Sequence, residues 1–243
     1  MHIFKRFLLG LIALIVLAGL GFIVWAETPY PAAPEALFAI ESDPNVTVTV
    51  DDYIAFAPTS TKPSTGLVFY PGGRVDFRAY AAPLRRIAEQ GYLVVLVPVR
   101  LNLAFFDVDA ADRPISAFPG IEHWAVGGHS LGGVASALYA SGNENIDGVV
   151  FWASYPADDA LKNADVTVLS VYGTLDMGGV EPFENSRQDL PADTEFLAIE
   201  GGNHAQFGDY GVQPGDNEAA VSREEQQSRA VEATVRFLGR LSR

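Results

Sequence analysis

The chain has 243 residues, of which 16 are Lys or Arg and 30 are Asp or Glu, a formal net charge of −14 at pH 7. Such an acidic balance excludes nucleic acid as a partner, because affinity for it comes mainly from Lys and Arg at phosphates. There is no cysteine, which excludes disulfides, thiolate metal sites, a Cys nucleophile and a lipid-modified Cys.

Residues 7–26 carry no charge and consist of Leu, Ile, Val, Ala, Gly, Phe and Trp. About 20 such residues cross a hydrocarbon core of roughly 30 Å as a helix. Lys5 and Arg6 precede the run and Glu27 is the first charge after it. The basic side stays in the cytoplasm, which puts the rest of the chain on the extracytoplasmic side. The run exceeds the ~7–15 apolar residues of a cleavable leader, so residues 1–26 read as a membrane anchor whose partner is the lipid bilayer. The competing reading is a signal segment cut near Ala26, which yields a secreted protein. Removing residues 1–26 takes away two basic residues and no acidic one, leaving a net charge of −16.

Residues 27–45 read as a stiff spacer, with Pro29, Pro31 and Pro34, followed by a short helix over 35–40. One domain then spans 46–243. Residues 46–50 alternate with period two, Asp51 and Asp52 turn, and a second strand runs over 53–57. Further strands are expected at 67–70, 92–97, 124–128, 149–152, 166–172 and 196–199. Helices at 80–90, 131–140, 184–190 and about 222–241 alternate with them. Short unbroken apolar strands indicate a parallel sheet covered on both faces. The last helix opens on a capping box, Ser222 to Glu225, and repeats Val231, Thr234, Phe237, Leu238 and Leu241 along one side. The fold class is α/β, a single domain around a mainly parallel sheet.

Gly128-His129-Ser130-Leu131-Gly132 fits the G-x-S-x-G nucleophile elbow, between an apolar strand and a helix. The glycines are required because side chains two residues either side of a strained serine would collide. A glycine-rich phosphate turn or plain strand–helix packing is the bland alternative. A serine nucleophile needs a base, and there are four histidines. His2 belongs to the anchor, His123 starts its strand at the opposite end of the sheet, and His129 packs beneath or beside the elbow. His204 follows the last strand, at the sheet's carboxyl edge with Ser130. Asp176, after a strand and a glycine turn, is the carboxylate that orients it. Asp158, Asp159 and Asp165 are alternatives further from that edge. Preorganised N–H donors for an oxyanion come from Leu131 and from Pro71-Gly72-Gly73-Arg74, with Gly73 assigned and Arg74 the alternative.

With these residues in place the chain resembles the α/β-hydrolase superfamily from Val46 to Leu241, and looks most like the small, lid-less dienelactone-hydrolase-like type. The resemblance implies an α/β-hydrolase fold with an eight-stranded sheet whose second strand is antiparallel. It also implies a mechanism with no metal and no cofactor. The order Ser130, Asp176, His204 is that family's order. Dienelactone hydrolases proper use cysteine where this chain has Ser130, so their lactone substrate does not carry over. The histidine-first oxyanion turn of many lipases is replaced by Pro71-Gly72-Gly73.

The connection from Ala153 to Asp165 is too short for a cap domain. Phe105, Tyr155, Met177 and Phe207 are candidate pocket walls, and Arg74 and Arg100 are candidate anchors for a substrate carboxylate. The expected activity is carboxylesterase-like hydrolysis of a small ester-like substrate through an acyl-enzyme on Ser130. Three rivals are a non-catalytic binding protein of the same fold, an acyltransferase using the same triad, and a divalent-metal enzyme using Asp209, Asp216 and His204.

Overall fold

Apolar runs that can be covered on both sides become interior strands, and the computed structural model, which describes residues 2–241, joins them into one eight-stranded sheet. Helix α1 (His2–Ala26) comes first, and its stretch Phe4–Ala26 is a candidate transmembrane span, long and apolar enough, with exposed flanks. Helix α2 (Pro34–Phe38) lies in the segment expected to be a spacer. That segment is not a free tether. Tyr30 forms a parallel bridge with Val75, and the Ala33 amide donates to the Asp209 carbonyl at 2.7 Å.

The domain continues as β1 (Val46–Val50), β2 (Ile54–Pro58), β3 (Thr65–Tyr70), α3 (Ala81–Ala88), β4 (Leu93–Leu96), α4 (Asp112–Ala117), β5 (His123–His129) and α5 (Leu131–Ser141). It ends with β6 (Gly148–Trp152), β7 (Thr167–Gly173), α6 (Glu181–Asn185), β8 (Glu195–Ile199) and α7 (Arg223–Leu241). The spatial order is β1-β2-β4-β3-β5-β6-β7-β8. β2 runs antiparallel to both its neighbours, and every other pair is parallel. This is the α/β-hydrolase arrangement that the resemblance implied. Residues 153–166 carry no helix or strand, so no cap stands between β6 and β7.

Successive side chains of a strand point to opposite faces. Leu67 and Phe69 of β3 therefore pack with Leu84 and Ile87 of α3 and Phe237 and Leu238 of α7. Val68 and Tyr70 face the other layer, with Ala135, Ala137 and Tyr139 of α5. Trp152 is fully buried, and its indole N–H donates to Thr234 of α7 at 3.2 Å.

Helix α4 falls where none was expected, and two expected helices differ in their bounds. The 80–90 segment becomes a 3-10 turn, Phe77–Tyr80, begun by the Asp76 carboxylate on the Arg78 amide, and then α3. The 184–190 segment starts earlier, at Glu181, because Pro182 fits the first helical turn, where its missing N–H costs nothing. It finishes as a 3-10 turn, Ser186–Asp189.

The chain leaves β3 toward β4 on one side and returns to β5 on the other. In such sheets the crevice for a ligand lies outside the carboxyl ends of the strands at this reversal. Residues 71–74 follow β3 there, and Ser130 follows β5.

At the reversal α5 passes against β3. A Cβ on Gly132 would overlap the Tyr70 and Pro71 carbonyl oxygens, and one on Gly128 would overlap the backbone of Gly132 and Gly133. The obstacles are backbone and cannot swing aside. Gly132→Ala is expected to lose at least about 1–3 kcal/mol, the ordinary cost of overpacking a full core. Urea unfolding of the variant against the parent measures it.

Candidate active site

Ser130 sits where β5 breaks into α5, with φ 52° and ψ −122°. A non-glycine residue with positive φ is strained by about 1–3 kcal/mol and persists only where its surroundings impose it. Here the Ser130 amide donates to the Trp152 carbonyl at 3.0 Å, and the Ser154 hydroxyl donates to the Ser130 carbonyl at 2.6 Å. The residue thereby stands at the amino end of α5, in the lining of a pocket.

His204 and Asp176 meet at the same edge. The His204 Nδ1 is 2.8 Å from the Asp176 Oδ2, and both side chains are buried. A carboxylate only accepts, so Nδ1 carries a hydrogen, and a neutral ring then has its lone pair on Nε2. The other Asp176 oxygen accepts the Gly178 amide at 3.2 Å. Ser130, Leu131, Asp176 and His204 line one pocket of about 370 Å³ with Val134, Ser154, Tyr155, Met177, Pro182 and Phe183. No hydrogen bond joins the Ser130 hydroxyl to the His204 ring among the described residues. Such contacts are often long before substrate binds and tighten in the complex.

The loop that carries His204 is fixed by polar side chains that give no signal in the sequence. The Asp216 carboxylate accepts the amides of His204 (3.2 Å) and Ala205 (2.8 Å). Gln226, fully buried on α7, accepts the Asn203 amide and donates to the Asn203 carbonyl. Asp209 pairs with Arg223 at 3.1 Å and accepts from Gln227 at 3.0 Å. Asp209 and Asp216 are thus engaged with an arginine and backbone amides, and no cluster of three or more His, Asp or Glu placed to hold a metal occurs among the described residues.

His129 lies beneath, as the reading of the elbow placed it, and does more than fill space. Its Nε2 faces the His204 carbonyl at 3.0 Å, so Nε2 is the protonated nitrogen. Its Nδ1 then accepts from the Tyr80 hydroxyl at 2.8 Å, and the Tyr80 oxygen accepts the Gly72 amide at 3.1 Å. One buried chain of hydrogen bonds therefore runs from the turn after β3, through the elbow, to the His204 loop. Burial, and then the neighbouring His204 imidazole, hold the His129 ring well below the ordinary histidine value, in its neutral form.

At the turn after β3, the Arg74 amide donates to the Asn102 carbonyl at 2.7 Å. Neither the Gly73 amide nor the Leu131 amide donates to a protein acceptor among the described residues. A Cβ on Gly73 would lie 3.1 Å from the Leu131 side chain, so the two residues are adjacent. Of the two candidates at this turn, the geometry favours Gly73 over Arg74.

Several expected wall residues stand elsewhere. Arg74 turns its guanidinium to the Trp25 and Thr28 carbonyls at 2.8 and 2.6 Å, because the end of α1 offers unpaired acceptors there. Arg100 is exposed and paired with Asp107 at 2.8 Å. Phe105 is outside the pocket, half exposed and packed on Phe106. Phe207 is fully buried against the His129 and Trp152 rings. Tyr155 and Met177 do line the pocket, and Val134, Pro182 and Phe183, which line it with them, were not legible because nothing local marks them.

A family model described as the alpha/beta hydrolase family matches residues 66–228. No curated protein sequence matches the chain. Among solved structures, a dienelactone hydrolase-like promiscuous phosphotriesterase from metagenomic libraries is similar with a TM-score of 0.62 at 16% identity, covering 81% of this chain and 99% of that one. The esterase domain of a Rhodothermus marinus protein gives 0.60 at 16% identity, over 80% of this chain and 97% of that one. Dienelactone hydrolase from Anabaena variabilis gives 0.59 at 16% identity, over 80% and 99%. At these identities the likeness is one of fold.

Two outcomes follow from the buried chain of hydrogen bonds. Tyr80→Phe leaves both the Gly72 amide and His129 Nδ1 unsatisfied, and urea unfolding is expected to show a loss of about 1–3 kcal/mol. The second concerns pH. Below about pH 6.5 the unfolded chain takes up a proton on His129 that the folded chain refuses. Stability is complete above that value and is lost as pH falls below it. The drop in urea midpoint from about pH 7.5 to 5.5 is expected to be smaller in His129→Asn than in the parent.

Proposed function

The chain belongs to the alpha/beta hydrolase family, and on that premise we propose that it is a serine hydrolase that cleaves carboxylic ester-like bonds through an acyl-enzyme on Ser130. The observation that carries this reading is the strained Ser130 sharing one pocket with a His204–Asp176 pair joined at 2.8 Å. Fold alone does not carry a function, so the reading rests on the site.

The His204 Nε2 accepts the Ser130 hydroxyl proton as Oγ attacks the substrate carbonyl. Asp176, hydrogen-bonded at Nδ1, stabilises the imidazolium that forms. The Gly73 and Leu131 amides donate to the oxyanion, assisted by the partial positive charge at the amino end of α5. His204 returns its proton to the leaving alkoxide, and the acyl group stays on Ser130. A water molecule, deprotonated by His204, then attacks the acyl carbonyl, and His204 returns that proton to Ser130 Oγ as the acid is released and the free serine re-forms. Val134, Tyr155, Met177, Pro182 and Phe183 give the pocket apolar walls suited to a hydrocarbon part of the substrate. These steps use only the chain's own residues, and no metal or cofactor enters them.

For the rest of the chain we propose residues 1–26 as a retained anchor, residues 27–45 as the segment fastening it to the catalytic domain, and 46–243 as that domain. Lys5 and Arg6 before the apolar helix favour the catalytic domain on the extracytoplasmic side.

Purified Ser130→Ala and His204→Ala are expected to lose at least about 1000-fold in kcat on p-nitrophenyl esters, with Asp176→Asn also strongly reduced. A fluorophosphonate probe is expected to label the parent and not Ser130→Ala. An unlabelled parent supports the non-catalytic reading, and undiminished turnover by Ser130→Ala removes the serine from the mechanism. Product analysis with an added alcohol acceptor separates hydrolysis from acyl transfer.

A further inference from the structure

The carboxyl end of α1 is built into the catalytic rim. Ala26 is fully buried although the flanks of the helix before it are exposed. Arg74, the residue after Gly73, bonds the Trp25 and Thr28 carbonyls and lies over the Trp25 ring at 4.4 Å. The Asn102 side-chain amide donates to the Ala26 carbonyl at 3.1 Å. Carbonyls in the last turn of a helix have no partner within it and carry its negative end, so a guanidinium and an amide are the groups that suit them.

Backbone strain marks the same place. Arg74, Leu101 and Asn102 have φ of 56°, 56° and 51°, and the bond from the Arg74 amide to the Asn102 carbonyl ties their two turns together. Side chains such as those of Arg74 and Leu101 are strained in this region, and the conformation persists only where contacts over-determine it. No slack follows the helix, since Tyr30 is already paired with Val75. An apolar surface continues from the helix flank onto the rim. Phe106 meets Phe22 edge-on at 6.3 Å, and Phe105, Phe106 and Trp25 are 49%, 44% and 48% exposed.

We infer that this rim docks on the bilayer crossed by α1. The pocket of Ser130 is held at the membrane surface, and its substrate is an amphiphilic ester that partitions into the membrane. The substrate class rests on the proposed hydrolase reading, whereas the orientation does not. With a net charge of −16 after residue 26, the domain owes its seat to the helix and aromatic side chains, and a zwitterionic surface suits it better than an anionic one. Aromatic side chains at the level of the headgroups are the usual membrane-interface anchors.

Because the chain has no cysteine, a single introduced one reports cleanly. Full-length Phe106→Cys and Glu122→Cys, each carrying a nitroxide, are reconstituted in phosphatidylcholine vesicles. Residue 122 precedes β5 at the opposite end of the sheet and is exposed. Dissolved oxygen is expected to relax the label at 106 more than an aqueous nickel chelate does, with the reverse at 122. Equal access of the chelate to both positions overturns the docking, as does release of a soluble chain cut near Ala26. For the substrate class, Phe106→Asp is expected to lower turnover of a vesicle-borne long-chain p-nitrophenyl ester about tenfold while leaving p-nitrophenyl acetate within about twofold. Equal loss on both esters overturns it. Undiminished activity in Ser130→Ala overturns the serine-hydrolase reading and the substrate class that rests on it, and leaves the nitroxide result on orientation standing.

Discussion

Two hydrogen bonds from neighbouring backbone and side chain clamp the elbow: the Ser130 amide on the Trp152 carbonyl, and the Ser154 hydroxyl on the Ser130 carbonyl. Both partners come from the end of β6 or just after it, so the serine conformation depends on β6 lying in register beside β5. The close passage of α5 over β3 supplies the other half of the constraint, because it brings Gly73 beside Leu131. Sheet order, glycine positions and serine strain are therefore one construction. Altering any of them moves the hydroxyl relative to the amides that face it.

The histidine loop is organised differently. It has almost no regular structure, only the 3-10 turn Ala205–Phe207, and is positioned by polar groups from four directions, of which Gln226, His129 and Asp176 are buried and Asp216 is partly exposed. Asp216 holds its amides, Gln226 holds Asn203, His129 holds its carbonyl and Asp176 holds its ring. Buried polar groups are costly when unpaired, so a network with every member satisfied specifies one arrangement more sharply than apolar packing does. The arrangement gives His204 a fixed tautomer while the neutral His129 beneath it adds no competing positive charge.

Much of this was legible in the sequence. Period-two alternation and unbroken apolar runs located all eight strands, because burial of one or both faces leaves a direct mark on residue type. The elbow glycines mark backbone contact in the same direct way. Chain order and sheet edge placed Asp176 and His204 near Ser130. Long-range side-chain partnerships leave no such mark. Arg74 stood beside the pocket in the sequence but turned to the helix end, and Phe207 went into the core beneath the site. Asp216, Gln226 and Tyr80 gained their roles only through the folds of distant segments, and Pro182 shifted the start of α6 toward the pocket.

The bare connection between β6 and β7 has one further consequence. Enzymes that close a lid over a reacting carbonyl expel bulk water and so strengthen every charge interaction around it. Residues 153–166, which make that connection, carry no helix or strand to form such a lid. On the proposed mechanism, drying of the carbonyl's surroundings falls to the bound molecule's own hydrocarbon chain, pressed against Val134, Tyr155 and Phe183, or to lipid beside it. A ligand too small to cover the serine would react in a solvated cleft with weakened oxyanion donors. Selectivity would then reside in how well each molecule roofs the site for itself.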